Sequence, residues 1–165
     1  MNDAAEKRNV LVTGGGGYIG TEVVRRLAAQ VEDGVRVVAT DLRIPPAEQR
    51  IVHAVYQRLD VRDGALEELL RRYAIDTVVH LAAVVTPGRN RDAKFEHSVD
   101  VLGTENVARC AVAAGVRQLI VTSSGAAYGY HADTPVPVTE EAPLRANPSF
   151  TYADNKRQVE EVLAE

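Results

Sequence analysis

The chain has 165 residues, 45% of them hydrophobic, which suits one globular domain with its own core. The formal charge of −4 is spread over 19 basic and 23 acidic residues with no basic stripe, which argues against nucleic acid as a partner. No apolar run approaches the roughly 20 residues of a membrane span. The polar stretch Met1 to Asn9 lacks the apolar core of a signal peptide, so a cytoplasmic protein is the default expectation.

Residues 1–9 read as a disordered lead-in. Val10–Thr13 is a short β-branched run and the first predicted strand. The chain then loses its side chains over Gly14-Gly15-Gly16-Gly17 and resumes as a helix. Ile19, Val23, Leu27 and Val31 recur every four residues and predict one buried helix face. Asp33-Gly34 ends it. Val35–Thr40 is almost continuously apolar, as expected of a parallel strand covered on both faces, and it ends at Asp41. Pro45-Pro46 forces a loop. A third strand is predicted over His53–Leu59. Asp63 is placed to cap a helix carrying Leu66, Leu69, Leu70 and Tyr73.

Thr77–Leu81 is the fourth predicted strand, and Pro87 and Gly88 open a charged loop. A long helical region from Ala93 to Ala114 follows, with Gly103 inside it and Gly115 as its stop. Cys110 lies on its apolar face and reads as core, since a single cysteine forms no internal disulfide. Gln118–Thr122 is the fifth strand. Ser123–Phe150 carries four prolines and is predicted as mostly loop, and a last helix begins near Tyr152. Strand and helix alternating in this way predict a doubly wound parallel α/β sheet.

Three constellations carry chemistry. Gly15-x-Gly17-x-x-Gly20 and Gly14-x-x-Gly17-x-x-Gly20 are both satisfied between a strand and a helix, where unpaired N–H groups and the positive dipole end suit a pyrophosphate. Asp41, at the end of strand two, can accept hydrogen bonds from ribose hydroxyls and repel a 2′-phosphate, favouring NAD over NADP; Arg43 nearby pulls the other way. Tyr152 and Lys156 stand four apart on one helix face, where an ammonium favours the phenolate. They follow Thr122-Ser123-Ser124-Gly125-Ala126-Ala127-Tyr128-Gly129, which delivers hydroxyls at the carboxyl edge of the sheet. His80 reads as structural. His131 and Asp133 read as loop residues that could face substrate.

With Thr13-Gly14-Gly15-Gly16-Gly17-Tyr18-Ile19-Gly20, Asp41, Asp60-Val61, His80-Leu81-Ala82-Ala83, Ser124, Tyr152 and Lys156 in this order, the chain from Val10 onward resembles the extended short-chain dehydrogenase/reductases. Within them it looks like the N-terminal portion of the NAD-dependent epimerase/dehydratase family. The resemblance implies a Rossmann-type sheet of five or so strands, NAD as cofactor, and a small-molecule substrate, a nucleotide sugar above all. It implies cofactor contacts at Gly14, Gly17, Tyr18, Ile19, Gly20, Asp41 and Arg43. Asp60 and Val61 would contact adenine, and Leu81, Ala82 and Ala83 would line the cofactor. Ser124 would hydrogen-bond the reacting oxygen, Tyr152 would act as acid/base, and Lys156 would hold the nicotinamide ribose.

Two departures bear on function. Asp100 stands in Asp100-Val101-Leu102-Gly103-Thr104 where the family often has Asn, which questions a proton-relay role there. Gly125 and Ala126 follow Ser124 with no carboxylate, which ranks epimerisation or alcohol/ketone redox above dehydration. Family members are longer, so the last of the sheet and the C-terminal substrate domain are expected to be missing here, and the surface left exposed predicts a homodimer. Two other readings stay open: an NADP-linked ketone or aldehyde reductase, and a dinucleotide-binding module without turnover.

Overall fold

The computed structural model describes residues 7–85 and 92–164. Five parallel strands form one sheet: β1 (Arg8–Thr13), β2 (Val35–Asp41), β3 (Ala54–Arg58), β4 (Thr77–His80) and β5 (Gln118–Val121), in the order β3-β2-β1-β4-β5. Val10 pairs with Val37 on one side and Thr77 on the other, and Thr77 pairs in turn with Gln118. The order reverses between β1 and β4. In open parallel sheets, ligands bind beyond the carboxyl ends at such a reversal.

The helices are α1 (Tyr18–Ala28), α2 (Ala65–Arg72), α3 (Ala93–Asp100), α4 (Leu102–Ala114) and α5 (Thr151–Ala164). The described chain divides into two compact units: Met1–Ala82 with Asn106–Val121, and Ala83–Glu105 with Thr122–Glu165.

In the first unit, Val10, Val12, Val35, Val37 and Ala39 alternate along β1 and β2 and pack with Val24 and Ala28 of α1. Leu11, Val38 and Val78 are buried too. By the pleat, Leu11 and Val38 face the opposite side of the sheet from those neighbours. Leu66 and Leu70 of α2, and Val107, Cys110 and Ala111 of α4, are buried as well. Asp63 is not the N-cap of α2, which is Gly64 with no side-chain cap bond, but its Oδ1 accepts the Ala65 N–H at 2.9 Å from one residue further out.

Several expectations are corrected. Residues 8 and 9 are not lead-in: the backbone of Arg8 and Asn9 pairs with β2, and the Asn9 N–H donates to Asp76. Polar side chains at a strand's open end do not prevent ladder pairing. The buried face of α1 is Gly20, Val24 and Ala28, with Ile19 exposed and Val23 and Leu27 half-buried. Gly20 marks that face because it alone lets the helix approach the glycine turn. Val31 lies beyond α1 in a 3-10 turn, Val31–Asp33. The long helix from Ala93 is two helices. Asp92 caps the first by accepting from Lys94 and Phe95 N–H. Thr104 Oγ1 then donates to the Asp100 carbonyl at 2.6 Å, a side-chain bond of the kind that bends helices where they join. The Ser123–Phe150 loop contains a 3-10 turn at Gly125–Tyr128. The predicted Pro87–Gly88 opening lies outside the described residues, as do residues 1–6.

In the second unit α5 packs on α3 and on the Gly125–Tyr128 turn, burying Ala153, Asn155, Lys156 and Val159. Among the described residues no helix is long and apolar enough to cross a membrane.

Candidate functional site

The glycine turn is built from backbone requirements. Gly14 has φ +67°, and a Cβ there would lie 2.8 Å from the Ala82 nitrogen. Gly20 would place a Cβ 2.0 Å from the Gly14 carbonyl oxygen. Gly15 N–H donates to Thr40 and Gly17 N–H to Gly14, closing the turn. α1 then starts after Gly17 with no side-chain cap and no acidic residue in its first turn. The leading N–H groups, those of Tyr18, Ile19 and Gly20, have no carbonyl one turn earlier to bond. Tyr18 is 97% exposed beside them. An uncapped, acid-free helix start behind a glycine cradle fits a pyrophosphate.

Asp41 closes β2. Its Oδ2 accepts the Gly16 N–H at 3.1 Å and its Oδ1 the Arg43 N–H at 3.0 Å. Each oxygen keeps a lone pair for a further donor, as a ribose hydroxyl would need. The Arg43 carbonyl lies so close to Gly16 that a Cβ there would sit 2.8 Å from it. Asp60 is held by Arg62 through Nε at 2.9 Å and Nη2 at 2.6 Å, and that hydrogen-bonded guanidinium keeps its carboxyl below the usual range. Val61 is buried, and its carbonyl accepts Asn106 Nδ2 at 2.7 Å.

The exit of β4 is tied to that of β1 through one hydroxyl. Thr13 Oγ1 accepts the N–H groups of Leu81 and Ala82 at 3.2 and 3.3 Å and lies 2.7 Å from His80 Nδ1. With both lone pairs engaged, the hydroxyl proton is left for Nδ1, which assigns the proton of a neutral ring to Nε2. His80 is 2% exposed, in keeping with a structural role.

The second unit carries the other candidates. Ser124 Oγ accepts the Ala126 N–H at 3.2 Å, which leaves its own O–H to donate elsewhere. On α5, Lys156 Nζ lies 5.9 Å from the Tyr152 ring centroid and donates to the Thr122 carbonyl at 2.7 Å. Lys156 is 6% exposed. Burial pushes its pKa down, against the pull of Asp100 and Glu160. Phe150 packs against Tyr152, with ring centroids 5.8 Å apart. The unit therefore brings a phenol, a buried ammonium and a strand-end carbonyl together.

His131 and Asp133 are engaged by their own loop. His131 Nε2 lies 2.6 Å from the Arg145 carbonyl, and Arg145 forks onto both Asp133 oxygens at 2.9 and 3.1 Å. Sequence reasoning gives no role to Arg62, Asn106, Arg145 or Asn155. A carboxylate two residues before an arginine is the one available signal, and it is present at Asp60 and Arg62.

The chain resembles known proteins throughout. It is 34% identical over 154 residues to a UDP-glucose 4-epimerase of Mycolicibacterium smegmatis, covering 88% of this chain and 47% of that protein. A short-chain dehydrogenase/reductase superfamily protein from Agrobacterium tumefaciens, solved with bound NAD, superposes with a TM-score of 0.76 at 32% identity, over 94% of this chain and 44% of that one. The UDP-glucose 4-epimerase of Thermotoga maritima, solved with UDP-glucose, gives 0.80 at 26% identity over 94% and 50%. The chain thus spans about half the length of the relatives it matches. The model of the NAD dependent epimerase/dehydratase family matches residues 10–165, and the chain belongs to that family.

Proposed function

We propose that this chain is the cofactor-binding and proton-transferring part of an NAD-dependent enzyme that epimerises a nucleotide sugar. The observation that carries the reading is the buried Lys156 ammonium beside the Tyr152 phenol, held by the Thr122 carbonyl. The phenol is the proton-transferring group of the pair, and the ammonium beside it supplies a positive charge and N–H donors. NAD, when bound, supplies the hydride acceptor and later the hydride donor. Gly14, Gly17, Tyr18, Ile19 and Gly20 would hold its pyrophosphate, with Asp41 on the adenosine ribose and Asp60 and Val61 beside adenine. Leu81, Ala82 and Ala83 would line it with backbone and small side chains.

Ser124 donates its hydroxyl proton in a hydrogen bond to the reacting oxygen and steadies it as it becomes a carbonyl. Tyr152 would accept the hydroxyl proton in the first half of the reaction and return it to the same oxygen in the second, so the proton count closes. With Thr122 holding one Nζ hydrogen, Lys156 has others for a ribose. The exposed Leu102 and Val112 of α4 support self-association as a homodimer.

The test is the Tyr152→Phe variant of a form that includes the substrate domain. NAD affinity should stay and epimerisation of a UDP-hexose should fall by about 10³-fold or more. Retained turnover would remove Tyr152 from the chemistry.

A further inference from the structure

The most unusual group near this site is a buried carboxylate. Asp100 closes α3 and is 3% exposed. Its Oδ1 accepts the Val84 N–H at 2.8 Å, and its Oδ2 accepts Asn155 Nδ2 at 3.3 Å. Its own carbonyl takes the Thr104 hydroxyl, so main chain and side chain are both pinned. A carboxylate has about four acceptor positions. Two neutral donors, one of them long, leave a buried charge short of compensation, and such a charge is retained only where a cation offsets it. Lys156 is the buried cation of this unit; it follows Asn155 on α5, and α5 packs on α3.

We propose that Asp100 is a positioning residue for the Tyr152–Lys156 pair, its buried carboxylate being the counter-charge that keeps the Lys156 ammonium protonated in its desolvated seat. This deepens the function proposed above and rests on it for the importance of Lys156. Lys156 has the same need in reverse. Thr122 O is the hydrogen-bond acceptor found for Nζ among the described residues, and a neutral carbonyl does not balance a buried positive charge. Burial drives the Asp100 carboxyl up and the Lys156 ammonium down, and in each case the other partner opposes the drift.

The other charged and titratable groups around the pair are few. α3 contributes His97, whose Nε2 lies 3.0 Å from Gln158 Oε1, and the buried Glu96. α5 contributes Glu160 and Tyr152, and the Gly125–Tyr128 turn contributes Tyr128. Residues 83–85 bring only alanine and valine. An amide at position 100 could keep the Val84 bond but not the charge. The carboxylate therefore sets how firmly Lys156 holds its proton beside the Tyr152 ring.

The chain has three lysines, Lys7, Lys94 and Lys156, so a lysine-labelled sample gives three resolvable Nζ and Cε signals. Their titration is followed by NMR in the native chain and in Asp100→Asn. The Lys156 midpoint should fall by about one pH unit or more in the variant, a tenfold loss of proton affinity, while the exposed Lys7 and Lys94 stay put. A Lys156 midpoint that moves no more than those of Lys7 and Lys94 overturns the proposal. Should Asp100→Asn fail to fold, the native chain carries the test alone. With aspartate labelled as well, the Lys156 Cε signal should show an inflection at the Asp100 carboxyl midpoint, and its absence overturns the proposal. Neither readout needs cofactor or turnover, so each stands apart from the fate of Tyr152 as acid/base.

Discussion

Replacing Gly20 by alanine sets two effects of different size against each other. Alanine is the better helix former, by about 1 kcal/mol. Against this, its Cβ would sit 2.0 Å from the Gly14 carbonyl oxygen, 2.8 Å from the Gly14 carbonyl carbon and 2.9 Å from the Gly15 Cα. All three are backbone atoms, and real Cβ contacts do not fall under 3.0 Å. The start of α1 must therefore move by about 1 Å, at an overpacking cost of about 1–3 kcal/mol. A shift of that size takes the N–H groups of Tyr18 and Ile19 out of hydrogen-bond range of a bound phosphate. Losing two charge-assisted bonds at about 1.5–3 kcal/mol each weakens NAD binding about a hundredfold or more. Calorimetric titration of NAD, beside a thermal melt, reads both quantities. Gly20→Ala binding NAD within about threefold of the native chain, or about 0.7 kcal/mol, would refute the close-approach argument.

Other outcomes follow from single contacts. Thr13→Val removes the hydroxyl that bonds His80 Nδ1 and the Ala82 N–H, while the Leu81 N–H keeps the Thr13 carbonyl; urea unfolding should show a loss of about 2 kcal/mol, and no loss would contradict the network. Asp41→Asn removes the charge that would oppose a 2′-phosphate, so the preference for NAD over NADP should narrow by about tenfold, roughly 1.4 kcal/mol; an unchanged ratio would assign the preference elsewhere. Burial pushes the Cys110 thiol up, so the folded chain holds that proton to higher pH than the unfolded chain. This contribution is complete below the unfolded thiol's pKa, about 8.5, and is lost as pH rises through the folded value. Stability of the native chain minus that of Cys110→Ala should therefore decline in alkali, and a flat difference would contradict it. Sedimentation across concentrations should show self-association, against which a single monomer species would count.

The sheet is legible in the sequence because parallel strands covered on both faces read as apolar β-branched runs, as at Val35–Thr40. The glycine turn is legible because Gly14 and Gly20 meet steric demands no other residue satisfies. The same Gly20 hides the buried face of α1, since hydrophobic periodicity gives glycine no weight; counting Ile19 instead rotates the face. The break between α3 and α4 is hidden because it comes from a Thr104 side-chain bond rather than from proline. Partners distant in sequence are hidden altogether: Asn106 under Val61, and Asn155 and Val84 on Asp100. Local pairs such as Asp60–Arg62 are visible as spacing, but their geometry is not.

The central claim is that a dinucleotide seats its pyrophosphate on the uncapped start of α1. Amide NMR of the isotope-labelled chain during NAD titration tests it most directly. Saturable shifts should be largest at Gly16, Gly17, Tyr18, Ile19 and Gly20, with the side chain of Asp41 following. Saturable binding that leaves those amides unmoved, or no saturation at all, would contradict the account.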